Sequence, residues 1–307
     1  MAAEWPRLIP DAIHWDRGVG AFSIRVYPKG QERYLLLDDF VLAVKGGTQS
    51  PSMHGLNNPG ADVMVRFLEK AFVKVQGSYA SLDGYYKYNS LYRHPARALQ
   101  LMTGSRLAME LDCSSQGKED DFERLYAILC STQGTCVRVA HCRKTWKGLR
   151  CNHGYSLFWV GHITYESDQH SLPQTIRLVC LRNPHGKGSF TGKYGRGSPE
   201  WTISLKTTFL QTHSEYFQRC PTTGNLTWRH ANNEVHATDD DDGIFFMEFS
   251  DFLPSFPCIT IVGPIDGHGG VQKEEIPDCI YKVSSSNLYP TVAQCLFGKR
   301  RRSKAGV

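Results

Sequence analysis

Two apolar runs constrain this chain more than any other feature: residues 155–164 (YSLFWVGHIT) and 175–181 (TIRLVCL). Both are rich in aromatic and β-branched residues, and the stretch between them, residues 166–174, is polar. Such a pattern predicts two strands paired as an antiparallel hairpin. The outer ends of that hairpin meet, and each carries a polar residue: His153 opens the first run and Asn183 closes the second. A histidine held by an asparagine amide is what a thiol nucleophile needs. The imidazole takes the proton, and the amide oxygen fixes the ring's orientation and tautomer. On spacing alone, a surface histidine and a turn asparagine before Pro184 account for the same residues.

The neighbouring residues carry a resemblance. Asn152-His153-Gly154-Tyr155-Ser156 is similar to the G-H-A-Y-S stretch in which calpains, papain-like cysteine proteases, place their catalytic histidine. Arg182-Asn183-Pro184-His185-Gly186 is similar to the R-N-P-W-G that holds their catalytic asparagine. Phe190-Thr191-Gly192 with Ser198-Pro199-Glu200-Trp201 resembles the family's W-T-G-x-W…P-x-W segment. Residues 242–253 (DGIFFMEFSDFL) resemble its D-G-E-F-W-M-x-F-x-D-F. Upstream, residues 35–44 (LLLDDFVLAV) and 68–74 (LEKAFVK), with Gly77-Ser78-Tyr79, resemble V-V-D-D and L-E-K-A-Y-A-K…G-x-Y. The matches run in family order from about residue 20 to residue 262.

Other classes find little support. The net charge of +5 resides in Lys299, Arg300, Arg301, Arg302 and Lys304, so the remaining charges balance and no basic face argues for nucleic acid. That terminal run reads as a solvated tail; an import signal or a contact to an acidic surface is the other reading. No apolar run reaches membrane-spanning length. No secretory signal opens the chain. Its ten irregularly spaced cysteines therefore read as free thiols in a reducing, cytoplasmic setting. The Asn225-Leu226-Thr227 sequon is then idle. Serine hydrolase chemistry lacks a G-x-S-x-G elbow.

Local signals predict an α+β chain. Residues 20–45 read as a hairpin, with Phe22, Ile24 and Val26 alternating and a turn at Pro28-Lys29-Gly30. Residues 46–60 read as loop. Residues 61–76 read as a helix with Met64, Leu68, Ala71, Phe72 and Val75 on one face, stopped by Gly77. Shorter helices fall at 95–102 and at 119–130, the latter with Phe122, Leu125, Tyr126 and Leu129 aligned. From about residue 135 the pattern turns to strands. The resemblance implies the papain-like two-lobed core: an incomplete helical first lobe at 1–112, a β-rich second lobe carrying His153 and Asn183 at 113–262, and a linker, candidate strand and basic tail at 263–307.

The nucleophile has no match. Papain-like enzymes place it roughly 130–150 residues before the histidine, on the first lobe. The first cysteine here is Cys113, and the family's Q-G-x-x-G-D-C-W stretch is absent. Cys142 and Cys180 read as small buried residues, and Cys151 stands too close to His153 to leave room for substrate.

Metal patterns fare no better. Cys136, His141, Cys142, Cys151 and His153 lack zinc-site spacing. The Asp239–Asp242 run fails as an EF-hand loop, because Phe249 would stand at its twelfth position. The resemblance implies calcium held by loops of each lobe. At those positions Glu69 and Asp242 are retained, whereas family acids are replaced by Lys187, Arg196 and Ile244. Two cations and an aliphatic do not cage a hard cation, so no cofactor is expected. His185 stands where the family has the tryptophan that covers its His–Asn bond.

These readings converge on a calpain-like cysteine endopeptidase domain, inactive alone for want of its cysteine. The alternative is a pseudo-peptidase that binds peptides or proteins. The expected partners are a protein substrate or protein partner and a complementary domain completing the first lobe. Without that domain the first lobe should expose apolar surface and be only marginally stable.

Overall fold

The computed structural model describes residues 11–40, 63–78, 95–105, 107–113, 119–165, 173–184, 190–221, 223–229, 243–263 and 279–284. It contains helices and sheets in an α+β arrangement. A three-stranded antiparallel sheet of β1 (Ile13–Asp16), β2 (Ala21–Val26) and β3 (Arg33–Asp38) comes first. The alternation in β2 puts Phe22, Ile24 and Val26 on one buried face. Against that face packs α1 (Val63–Gln76), helped by α2 (Pro95–Thr103). The deepest contact is a stack of Phe67 on Phe22, with centroids 4.1 Å apart. Phe67 is absent from the face predicted for this helix, although it lies on the same stripe one turn before Ala71. Tyr34 and Leu36 on the other side of β3, Val19 in the β1–β2 turn and Phe40 just past β3 are mostly exposed.

A seven-stranded sheet dominates the rest. β4 (Leu107–Asp112), β5 (Val137–Cys142), β6 (His153–Tyr165), β7 (Gln174–Arg182), β10 (Ile244–Glu248), β11 (Cys258–Val262) and β12 (Cys279–Ser284) run in the order β10-β7-β6-β5-β11-β4-β12. All neighbours are antiparallel except β4 and β12. A two-stranded ribbon, β8 (Phe217–Arg219) with β9 (Leu226–Trp228), flanks it. β4 pairs with β11 from Ala108 to Asp112. It therefore belongs to the large sheet, although it precedes the boundary expected at 112–113. β12 likewise extends that sheet beyond the boundary expected at 262. β12 falls where the sequence offers a candidate strand, whereas β4 does not stand out, because it finds its partners far along the chain. Among the described residues the first part joins a three-stranded sheet to two helices. The predicted loop at 46–60, the side chain of Phe122, and the tail fall outside the described residues.

Both faces of the large sheet are covered, which is why its central strands read as unbroken apolar runs. Leu125, Ile128 and Leu129 of α3 (Glu119–Ser131), with Phe249, Phe252 and Leu253 of α5 (Phe249–Ser255), pack on one face. Leu205 and Phe209 of α4 (Ile203–His213) pack on the other. A bulge between Leu157 and Trp159 shifts the β6–β7 register. Tyr155, Leu157 and Val160 consequently serve the first core, while Phe158 and Trp159 both serve the second. The Trp159 indole lies among Phe209, His213 and Phe217. It also covers Gly161, where a Cβ would come within 2.2 Å of the ring. Gly161→Ala should therefore lower the urea-unfolding midpoint, at a cost of about 1–3 kcal/mol, by pushing Trp159 off its site.

Arg138 is fully buried in β5. Its Nη1 donates to the Leu129 carbonyl in the last turn of α3 at 2.8 Å, and its Nη2 to the Phe158 carbonyl in the bulge at 2.6 Å. One planar guanidinium thus ties the helix C-terminus to the irregular point of the central strand.

Candidate active site

The predicted hairpin forms. β6 and β7 pair from Ser156 with Arg182 out to Tyr165 with Gln174. This register brings Asn183, one residue past β7, beside His153 at the head of β6. His153 Nε2 and Asn183 Oδ1 are 2.9 Å apart. Asn183 is buried and its backbone N–H donates to the Gly243 carbonyl at 2.8 Å, so the amide is anchored from a third strand end. With the amide oxygen accepting, Nε2 carries the proton and the imidazole lone pair sits on Nδ1. That is the tautomer in which a histidine receives a proton on the side away from its orienting partner.

Tyr155 completes the support. Two residues on from His153, it shares that face of the strand, and its ring meets the imidazole edge-on at 4.8 Å. It is buried, contacts Phe245 and Phe256, and accepts the Arg150 backbone N–H on its hydroxyl at 2.9 Å. In the sequence Tyr155 stands only as part of the family motif. The H-x-Y spacing within a strand was the signal for its role.

Three cysteines surround this site in sequence. Cys142 pairs directly across from His153 in the β5–β6 register. Its thiol is buried, reaches the Lys144 carbonyl, and is pushed up from the ordinary thiol range chiefly by burial. A nucleophilic cysteine requires the opposite shift. Cys151 is exposed, and Cys180 is buried in β7 within the core on the other face of the sheet. The eight cysteines whose side chains are described carry free thiols.

Of the expected calcium positions, Glu69, Arg196 and Ile244 lie among the described residues. Glu69 lies on α1. Asp242 and Lys187 fall outside the described residues, as do His185 and the rest of the tetra-aspartate run. Arg196 and Ile244 meet in the lining of one cavity, next to Lys206, and among the described residues that lining holds no Asp or Glu. These side chains do not fit a hard cation, which takes six to eight oxygens. Among the described residues, no group of three or more His, Cys, Asp or Glu could hold a metal, and no helix is long and apolar enough to cross a membrane.

Comparison with known proteins identifies the family. The family model for calpain family cysteine proteases matches residues 2–219. A calpain of Schistosoma mansoni is 27% identical over 248 residues, covering 79% of this chain and 27% of that protein. The calpain-1 catalytic subunit of Sus scrofa is 25% identical over 276 residues, covering 83% of this chain and 30% of its own. Calpain clp-4 of Caenorhabditis elegans is 25% identical over 261 residues, covering 82% and 30%. The chain spans less than a third of the length of these relatives.

Proposed function

The chain belongs to the calpain family of cysteine proteases, and from that premise we propose that it is the base-carrying part of a calpain-like, papain-type endopeptidase core. His153 is the general base and then general acid, and Asn183 is its orienting residue. The observation that carries this reading is the 2.9 Å bond between His153 Nε2 and the buried Asn183 amide. In peptide hydrolysis Nδ1 removes the thiol proton as sulfur attacks the peptide carbonyl. The same proton then passes to the leaving amine, and a second cycle with water frees the acyl group. The large sheet is the lobe bearing His153 and Asn183, and the three-stranded sheet with its two helices is part of the opposing lobe. The thiol comes from outside these 307 residues, through a complementary segment or domain. The exposure of Val19, Tyr34, Leu36 and Phe40 supports a missing neighbour on the first lobe. Its substrate is a protein chain. Calcium has no part in the second-lobe chemistry, and the setting is cytoplasmic.

A second reading, a pseudo-peptidase that binds peptides without cutting them, is favoured by one observation: the cysteine nearest His153 in register is buried and hard to ionise. Incubation of the purified chain with an unfolded protein tests both. No turnover is expected. Cleavage abolished by thiol alkylation and by His153→Ala would place the nucleophile within this chain and overturn the proposal. The intact mass of the endogenous protein separates the two readings. A larger protein with an upstream Gly-Asp-Cys-Trp-like peptide supports the peptidase, and a mass of 34.6 kDa supports the binder.

A further inference from the structure

The balance of charge away from the tail hides a local excess. Residues 143–150 (RKTWKGLR), which link β5 to β6, hold four cations and no carboxylate. Their backbone is fixed. Trp146 and Leu149 form a β-bridge, and Lys147 and Gly148 between them take φ values of 43° and 85°, the two left-handed residues of a type I′ turn. The first of those positions favours Asn, Asp or Gly, so lysine stands there at a cost in backbone strain. Leu149 is buried, Trp146 packs on Phe190 at 5.6 Å, and the Thr191 N–H donates to the Lys147 carbonyl at 2.9 Å. The Lys147 ammonium lies over the Trp146 ring, 4.3 Å from its centroid. Lys144, Lys147 and Arg150 are exposed, and among the described residues none of the three is ion-paired. Glu200, which feels Lys147 through space, is itself bonded to the Ser198 hydroxyl at 2.6 Å.

This surface adjoins the His–Asn pair. Arg150 is three residues from His153, and its N–H donates to the hydroxyl of Tyr155, whose ring meets the imidazole. Lys144 is two residues past Cys142, the direct partner of His153 across the strands. Both backbones therefore lie within about 13 Å of the His153 backbone. We propose that Lys144, Lys147 and Arg150 form a docking surface for an acidic stretch of a protein substrate, held by its carboxylates beside the bond presented to His153. The substrate role rests on His153 being the base; the docking does not. An extended chain advances about 3.3 Å per residue, so carboxylates within about four residues of that bond pass over the three cations. The Arg150 guanidinium grips a carboxylate through two parallel hydrogen bonds, and the lysines add point charges. A lipid surface suits these residues less. Trp146 and Leu149, the apolar side chains of the link, pack against the large core, so neither is left to enter a bilayer. Stacking on nucleic-acid bases is disfavoured too, because Lys147 covers the Trp146 ring.

The experiment is titration of the 307-residue chain with four probes. They are an end-blocked, fluorescently labelled peptide carrying a run of Glu, the same peptide with Gln, vesicles of phosphatidylserine and phosphatidylcholine, and a short single-stranded DNA. Exposed ion pairs are individually weak, so three together should make the Glu peptide bind about tenfold tighter than the Gln peptide. That preference should shrink as salt is raised. Lys144→Gln/Lys147→Gln/Arg150→Gln should abolish it while melting at the parent temperature. Lys144→Glu/Lys147→Glu/Arg150→Glu should transfer the preference to a Lys peptide. Replacing Lys299, Arg300, Arg301, Arg302 and Lys304 of the tail by Gln should leave it intact. His153→Ala should leave it intact as well, so failure of the base assignment, read in cleavage, is distinct from failure of docking, read in binding. Equal binding of the Glu and Gln peptides, a preference that survives the triple Gln variant or vanishes with the tail, binding to vesicles or DNA that is tighter than to the Glu peptide and lost in the triple variant, or no binding by any probe would each overturn it.

Discussion

His153→Ala should lower kcat/KM by about 10⁴–10⁶-fold in any form of this protein that contains the family's nucleophilic thiol, because the thiol then has no base to take its proton. Asn183→Ala should cost less, about 10–10²-fold. It removes one hydrogen bond to a ring that becomes charged during the reaction, worth about 1.5–3 kcal/mol. The two losses should not add, since Asn183 acts only through His153. Asn183→Ala should also change the pH dependence of kcat/KM by releasing the imidazole tautomer, an effect that a merely structural role would not produce. Peptide cleavage at several pH values checks all of this. A His153→Ala enzyme within tenfold of the parent would remove His153 from the chemistry.

Arg138→Ala should be the most damaging substitution away from the site, at about 3–5 kcal/mol. It opens a void beneath α3 and strips the buried Leu129 and Phe158 carbonyls of the donors that now satisfy them. Arg138→Lys should recover only part of the loss, because one ammonium lacks the fork that reaches both carbonyls. Arg138→Met should fill much of the void and leave the carbonyls bare, falling between the other two. Urea unfolding separates the three by their midpoints at constant slope. Equal midpoints for the Met and parent chains would show that packing alone holds this point.

The hairpin and the His–Asn pair were legible in the sequence because both depend on short-range pattern. Two apolar runs of strand length fix the pairing, and their polar ends then meet without further information. The helices at Val63–Gln76 and Glu119–Ser131 were legible for the same reason. β4 was not. Leu107-Ala108-Met109-Glu110-Leu111-Asp112 becomes a strand because β11 lies alongside it, and nothing nearby in sequence announces that partner. The bulge at Phe158 was equally hidden, since an apolar run buried on both faces carries no alternation for a shifted register to break. Arg196 and Ile244 were visible only as departures from a family pattern. That they share a cavity with Lys206 required the fold.

The strand order has a consequence for how the chain is made. β5, β6 and β7 are neighbours in both sequence and space, so this meander can zip up as soon as Arg182 has left the ribosome. β11 closes the gap between β5 and β4 only at Cys258–Val262, and β12 follows later still. During synthesis β4 has no lateral partner until β11 emerges, the kind of long-range pairing that slows folding. A nascent chain arrested between Arg182 and Cys258 would hold the paired His–Asn strands beside an unfinished sheet.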